Sequence, residues 1–431
     1  MIKVLGHGLS DPGLKRTSNE DAFLVDQELG LYLVCDGVSG HAAGDVASKM
    51  TIQLVHQHIK KNRAVIEAHS KEDTAVARES TVKLIEDAIN LACGQVFKLS
   101  RQDESKRGMA TTVTLFLRTG RHAMIAHVGD SRIYLARGEK SYQLTEDHSL
   151  LAEELRRGTL TPEEAEKFKA ANVITRAVGF QELVKVDTLQ VELSHTDTYL
   201  LCSDGLSDYF QSNELAKMAT GRPPDTVTKE LVAFAKAKGG KDNITAVIVK
   251  LGEEGAGDEA RARRLALKRD VLAKMPLFGR LSERELLRVM QAVEVREYED
   301  GQVVIRAGDK GDELFIVLAG TVRVIRGEAT LTRLGAGEHF GEMALIRSVP
   351  RSASVTAEGR AELIAIRRAD FFEILRKEHE IAVKMLWQFL GVLADRLDQT
   401  SSELRHAKQE LAAEDVTGEI FPDVDIEIPF G

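Results

Sequence analysis

Three apolar runs of strand length in the first half of the chain each stop at an aspartate beside a glycine. Leu31-Tyr32-Leu33-Val34-Cys35 runs into Asp36-Gly37, Ile125-Ala126-His127-Val128 into Gly129-Asp130, and Tyr199-Leu200-Leu201-Cys202-Ser203 into Asp204-Gly205. A continuous apolar run reads as a strand buried on both faces, so an acid at its end stands at the rim of the core facing a cleft. A single Asp-Gly reads as a turn. Three of them, joined by Asp21, Asp208 and Asp242-Asn243 near other boundaries, call for a fold that gathers carboxylates along a sheet edge, as a site for a hard cation requires.

A chain of 431 residues exceeds one ordinary core, so two domains are expected. The content of 43% apolar and 29% charged residues is that of a soluble globular protein. No apolar stretch approaches the ~20 residues needed to span a bilayer. Met1 to Ser10 lacks a basic region followed by a hydrophobic one, so a cytoplasmic location without membrane association is expected. Cys35, Cys93 and Cys202 are odd in number and never form C-x-x-C, and read as small buried hydrophobes in a reducing compartment. A formal charge of −9 argues against a nucleic-acid partner.

Strand and helix signals alternate over residues 1–251. Residues 252–276 read as a linker, Gly252 to Gly257, and a basic helix from Glu259 to Met275, with an apolar seam at Leu265 and Leu272 and its charges on a solvated face. Residues 277–396 carry short strands punctuated by glycines, the pattern of a small β-roll or jelly roll, followed by helix. Residues 397–431 hold the end of that helix and an acidic tail in which Phe421, Ile426, Ile428 and Phe430 are the apolar positions. Leu390, Leu397, Leu404 and Leu411 recur every seventh residue, with Leu393 and Ala407 between them. Two readings stay open: a coiled-coil seam that makes a homodimer, or one amphipathic helix folded back on its own domain.

Mg²⁺ and Mn²⁺ take oxygen ligands octahedrally and keep several waters, so one or two carboxylates per ion suffice. Two such ions sharing a bridging acid acidify a water and neutralise phosphoryl oxygens, which favours phosphate ester hydrolysis. At this point the motifs carry a resemblance. SDPGLKRTSNED from Ser10, DGVSGHAAGDVAS from Asp36, GMATTV from Gly108, HVGDSRIY from His127, LTEDHS from Leu144, CSDGLSD from Cys202 and GGKDNITAVIV from Gly239 follow in order the motifs of the metal-dependent protein phosphatases of type 2C. The resemblance implies an α+β fold, a β-sandwich flanked by helices with metals at its edge.

Carried over residue by residue, it makes Asp36 the bridging acid and Gly37 a carbonyl ligand. Asp204 and Asp242 complete one metal, and Asp21, with Glu20 through water, holds the other. Arg16 would bind the substrate phosphate with its planar fork. Asp130 and Asp208 match the acids of a weaker third metal, and Ser149 to about Ala171, with the NVITRAVG that follows, matches a mobile flap. Val38 stands where some members place a histidine general acid, His41 is offset from it, and Ser39 and Ala110 replace common glycines.

In the second domain, Phe340-Gly341-Glu342-Met343-Ala344-Leu345 followed by Pro350-Arg351-Ser352-Ala353 has its own logic. A short helix at Gly341 offers free N–H groups to a phosphate, Arg351 supplies the counter-charge, and Glu342 suits a ribose hydroxyl. This resembles the phosphate-binding cassette of cyclic-nucleotide-binding domains, which implies contacts from Gly341, Glu342, Met343, Ala344, Arg351 and Ser352. Ser352 suits either purine, so the ligand is cAMP or cGMP, with cAMP the first candidate.

The combination is expected to be a protein phosphatase acting on phosphoserine or phosphothreonine proteins with Mn²⁺ or Mg²⁺, responsive to cyclic nucleotide, and coupled through the basic helix at Glu259 to Met275. The competing reading is a catalytically weak scaffold that uses the sensor and coiled coil. A transcription factor is disfavoured, because no helix pair for reading DNA follows the β domain.

Overall fold

The computed structural model describes residues 3–38, 43–165, 167–168, 170, 173–210, 214–252, 257–347 and 349–417. Ser39, His41 and the apolar positions of the acidic tail lie outside them. The chain opens with β1 (Lys3–Asp11), β2 (Ala22–Asp26) and β3 (Leu31–Cys35), then α1 (Gly44–Lys61), α2 (Arg63–Lys71) and α3 (Ala75–Gln102). Four strands follow, β4 (Val113–Thr119), β5 (His122–Val128), β6 (Arg132–Arg137) and β7 (Lys140–Gln143), and two short helices, α4 (Leu150–Arg157) and α5 (Pro162–Ala165). The domain closes with β8 (Asp187–Glu192), β9 (Thr198–Cys202), α6 (Asp204–Ser207), α7 (Glu214–Ala219), α8 (Pro224–Ala237) and β10 (Ile244–Gly252).

These strands form two antiparallel sheets, β1-β10-β9-β6-β7 and β2-β3-β4-β5-β8. Alternation along β3 shows why its sequence is apolar throughout. Tyr32 and Val34 face the sandwich interior with Phe116, Tyr199 and Val247, while Leu31, Leu33 and Cys35 face out against Val55, Ile85 and Ile89 of α1 and α3. Both faces of each sheet are covered, because α7 and α8 pack Leu215, Val227 and Leu231 on the outer side of Leu200 and Ile248. Cys35, Cys93 and Cys202 are buried and unpaired, as their spacing implied.

Beyond β10 lie α9 (Asp258–Lys274) and α10 (Glu283–Gln291), then β11 (Val293–Tyr298), β12 (Val303–Ile305), β13 (Glu313–Arg326), β14 (Ala329–Leu334), β15 (His339–Phe340), α11 (Met343–Ile346), β16 (Ser354–Arg367), α12 (Arg368–Lys377) and α13 (His379–Thr417). A six-stranded sheet, β11-β16-β13-β14 with β12 on β16 and β15 on β13, makes a second β domain with flanking helices. Phe315, Val317, Phe340, Val355 and Leu363 fill its interior.

The outer face of β13 and β16, through Leu314, Ile316, Ile364 and Ile366, joins the same apolar cluster as the sandwich core, by way of Leu265 and Leu272 of α9, Phe278, and Leu286 and Leu287 of α10. The two domains are therefore packed rather than tethered. The charges of α9 are only partly solvated. Arg263 is exposed, but Lys268 is buried and its ammonium donates to the carbonyls of Met290 (2.9 Å) and Val293 (3.3 Å), because the helix is wedged between domains. Among the described helices none is long and apolar enough to cross a membrane.

Candidate active site

The acids singled out in the first domain gather where β3 and β9 end and β10 begins. Asp36 follows β3 directly, and its backbone is held from both sides. Its N–H donates to Thr112 Oγ1 (2.9 Å), and its carbonyl accepts from Thr111 Oγ1 (2.8 Å) and the Thr112 N–H (2.9 Å). Gly37 donates to the Glu20 carbonyl (3.2 Å), and a Cβ there would stand 2.4 Å from the Gly44 carbonyl oxygen, so no other residue fits. Asp204 opens α6, and a Cβ on the neighbouring Gly205 would meet the Asn243 carbonyl oxygen at 2.0 Å. Gly37 and Gly205 thus serve close backbone approach and not a positive φ, whereas Gly129 beside Asp130 takes φ +109.

Asp21 is buried, and its Oδ2 accepts from Ser203 Oγ (2.7 Å) and Thr245 Oγ1 (2.6 Å). Asn243 ties the loops together, accepting from the Glu20 N–H (2.9 Å) and donating to the carbonyls of Ser18 (2.9 Å) and Pro12 (3.1 Å). Arg16 stands at the mouth, with Nη2 2.8 Å from Asp242 Oδ2. Asp208 lies one helical turn beyond Asp204 and is exposed, and Asp130 follows β5 at the far side.

Two oxygens, Oδ1 of Asp21 and Oδ1 of Asp204, are buried without a hydrogen-bond partner. Desolvation and mutual repulsion push the carboxyls of Asp36, Asp21 and Asp204 above their ordinary range, and burial beside Asp204 and Asp147 takes Asp130 to about 7. Among the described residues, no group of three or more His, Cys, Asp or Glu side chains stands close enough together to hold a metal ion.

The segment expected from the sequence to be a flap is fastened at both ends. The Leu150 N–H donates to the Val173 carbonyl and the Thr175 N–H to the His148 carbonyl, each at 2.8 Å. His148 Nδ1 accepts from the Gly129 N–H (3.1 Å), which leaves the proton on Nε2, 3.3 Å from Asp187 Oδ2. Asp187 also binds Arg176 at 3.0 Å. Burial alone would raise Asp187, but His148, Arg284 and Arg176 hold it far below the carboxylate range. Ser203, Thr245, Thr112, His148 and Arg176 lie inside the motifs quoted from the sequence but were given no role there, and Asp187 lies outside them.

In the second domain, Gly341 takes φ +82 and α11 begins two residues later. Arg351 lies against it, because a Cβ on Gly341 would come within 2.5 Å of Arg351 Nη1, and one on Gly311 within 2.1 Å of Nε. Its Nη2 donates to the Glu313 carbonyl (2.8 Å), and its guanidinium lies 6.0 Å from the Phe315 ring centroid. The Arg351 backbone is pinned by bonds to Gly308 and Asp309, each 2.9 Å. Ser352 is exposed, Ala344 is buried, and Glu342 and Met343 stand at the start of α11 beside Gly341. The predicted cassette residues are therefore adjacent in space; Gly311 is the member the sequence did not disclose.

Comparisons with known proteins find two families along the chain. The family profile described as protein phosphatase 2C matches residues 11–244, and that of the cyclic nucleotide-binding domain matches residues 295–378. The protein phosphatase PhpP of Streptococcus pneumoniae is 37% identical over 253 residues, which cover 58% of this chain and 98% of PhpP. Among solved structures, the S. agalactiae serine/threonine phosphatase matches with a TM-score of 0.51 at 29% identity, covering 58% of this chain and 100% of the other. The catalytic domain of the serine/threonine protein phosphatase PstP, in complex with 2 manganese ions, matches with a TM-score of 0.50 at 28% identity, covering 59% and 100%.

Proposed function

We propose that this chain, which belongs to the protein phosphatase 2C family and carries a cyclic-nucleotide-binding domain behind its phosphatase domain, is a divalent-metal-dependent serine/threonine phosphoprotein phosphatase regulated by cyclic nucleotide. The observation that carries the metal reading is the set of carboxylates around Asp36, with Oδ1 of Asp21 and of Asp204 buried and unpartnered. Asp36 would bridge two Mn²⁺ or Mg²⁺ ions, with Gly37, Asp204 and Asp242 on one, Asp21 and Glu20 on the other, and Asp130 and Asp208 toward a weaker third. When bound, such ions lower the pKa of the attacking water and neutralise phosphoryl oxygens. Manganese in the PstP structure supports the choice of ion.

The chain's own residues position the ester. Arg16, half-exposed at the mouth, can present its fork to two phosphate oxygens, and its bond to Asp242 aims it across the acid cluster. Thr111 and Thr112 fix the backbone of Asp36, so its carboxylate does not follow the substrate. The test is hydrolysis of a phosphothreonine peptide with Mn²⁺, with Asp36→Asn as the blank. Metal-dependent turnover lost in the variant supports the reading, while a chain inactive with every divalent ion returns the scaffold reading to first place.

In the second domain, cAMP or cGMP would set its phosphate between the start of α11 and Arg351 and its ribose at Glu342, with Ser352 toward the base. The chain pairs with a second copy along α13, where the heptad positions Val383, Leu386, Leu390, Leu393, Leu397 and Leu404 are all exposed. A cytoplasmic location agrees with three buried free cysteines and completes the reading.

A further inference from the structure

We propose that Arg284, supplied by the second domain, is a positioning residue of the phosphatase: it clamps Glu146 and Asp187, the acids at the root of the flap, and passes the state of the sensor's helices to the substrate cleft. The clamp rests on the phosphatase reading, and its use as a relay rests also on the nucleotide reading.

The helix that carries Arg284 is built for fixed orientation. Ser282 and Glu285 form a reciprocal capping box at the start of α10, and Leu286, Leu287 and Met290 bury its inner side. Positions 284, 288 and 291 share another face, at spacings of four and three. All three reach the same neighbour, β8, which is the edge strand of its sheet. Arg284 Nη1 lies 2.7 Å from Glu146 Oε2 and Nη2 3.2 Å from Asp187 Oδ2, Arg288 donates to the Thr188 carbonyl, and Gln291 to the Gln190 carbonyl.

On the phosphatase side the clamp continues directly into the flap. Asp187 is shared with Arg176 and His148, both flap-root residues, and His148 accepts from the Gly129 N–H beside Asp130. Glu146 is shared with Arg156 of α4, the flap helix, at 3.4 Å. On the sensor side, Arg288 pairs with Glu378 at the junction of α12 and α13 (3.1 Å), Glu285 with Lys384 of α13 (2.8 Å), and Arg156 with Glu380 of α13 (3.6 Å). Any movement of α13 thus pulls on α10 and on the flap helix together. The basic helix α9, expected from sequence to carry the coupling, instead contacts β8 at Glu192 through Arg261, away from the flap roots.

Removal of Arg284 leaves Asp187 paired with Arg176 and His148, so the flap loses its outside anchor without stranding a buried charge. The test uses the full chain with Mn²⁺, a phosphothreonine peptide and p-nitrophenyl phosphate, each with and without cAMP or cGMP. Arg284→Ala is expected to raise KM for the peptide by about 5-fold or more, to leave kcat for the small ester within about twofold, since that ester does not need the flap, and to bring the nucleotide response ratio toward one. Arg284→Lys keeps the charge but not the fork and recovers part of the loss.

A peptide KM and nucleotide response both at wild-type levels in Arg284→Ala overturn the clamp. A wild type that is metal-active but indifferent to nucleotide overturns the relay, and the peptide KM still decides the clamp. Should Arg284→Ala not fold, Arg288→Glu and the pair Arg288→Glu/Glu378→Arg serve instead: restoration of the response in the double variant supports the relay, and its failure overturns it.

Discussion

Asp21 and Asp204 each keep one buried oxygen without a partner, and that residue-level fact has thermodynamic consequences. A carboxyl pushed above its ordinary value binds protons more readily in the folded chain, so the cation-free acid cluster costs stability at neutral pH. Mn²⁺ at a hundredfold excess over its Kd is expected to stabilise by about 2.7 kcal/mol, which raises Tm by about 3 °C where the whole chain melts as one unit. Asp36→Asn is expected to melt higher than wild type in EDTA, to lose most of the metal-induced rise, and to lose activity by about 10³-fold. A second prediction concerns His127, which is buried with Nε2 on the Glu146 carbonyl (3.0 Å) and which burial and His148 hold well below the ordinary imidazole value. Below about 6.5 the unfolded chain takes a proton there that the folded chain refuses, so stability is complete above that pH and falls as pH drops, by up to about 1.4 kcal/mol per unit. Melts at saturating Mn²⁺ between pH 5 and 8 should show a shallower decline in His127→Gln. Asp36, Asp130 and Asp204 could be picked out because each stands beside a glycine after a strand. Ser203 and Thr245 were not, because they meet Asp21 only through the β9–β10 register, which no local pattern encodes.

At the scale of elements, legibility followed burial on both faces. Strands such as β3 and β10 could be read as runs because helices cover their outer sides, whereas α9 read as a helix with a solvated charged face although Lys268 on it is buried between the domains. The last helix shows both cases at once. Ile381 and Met385 are buried against the second domain, so the first turns of α13 do fold back on it, as one of the two sequence readings had it. The heptad face points elsewhere, with Leu397 68% and Leu386 62% exposed. A single amphipathic helix with a bare a/d stripe is marginal in water, and a like helix fills such a stripe by knobs-into-holes packing. Light scattering is expected to give the mass of a dimer for the wild type and of a monomer for Leu397→Asp. Trp387, the sole tryptophan, flanks the stripe at 66% exposure, so its emission should shift to the red in the same variant. A wild-type monomer at micromolar concentration would leave the stripe without its second copy.

For the whole molecule, the decisive feature is that one apolar cluster runs from Tyr32 and Val247 in the sandwich through Leu272 and Phe278 to Ile316 and Ile366 in the sensor. Linked domains ordinarily share small, polar interfaces and move independently. Here the exposure of either side of α9 and α10 would uncover the core of the other, so both domains are expected to melt in a single calorimetric transition. That expectation sharpens the nucleotide prediction. A ligand bound only at Arg351 stabilises the folded chain by mass action, about 2.7 kcal/mol at a hundredfold excess over Kd, and a shared core must carry the gain to the phosphatase. With saturating cAMP or cGMP, the temperature at which metal-dependent hydrolysis is lost should therefore rise together with the calorimetric Tm. Arg351→Ala should abolish both shifts, because a guanidinium packed on Gly311 and Gly341 has no substitute there. Two separate transitions, with only the second moved by nucleotide, would mean that the packed interface yields before either domain and that the sensor reaches the cleft through the arginine clamp or not at all.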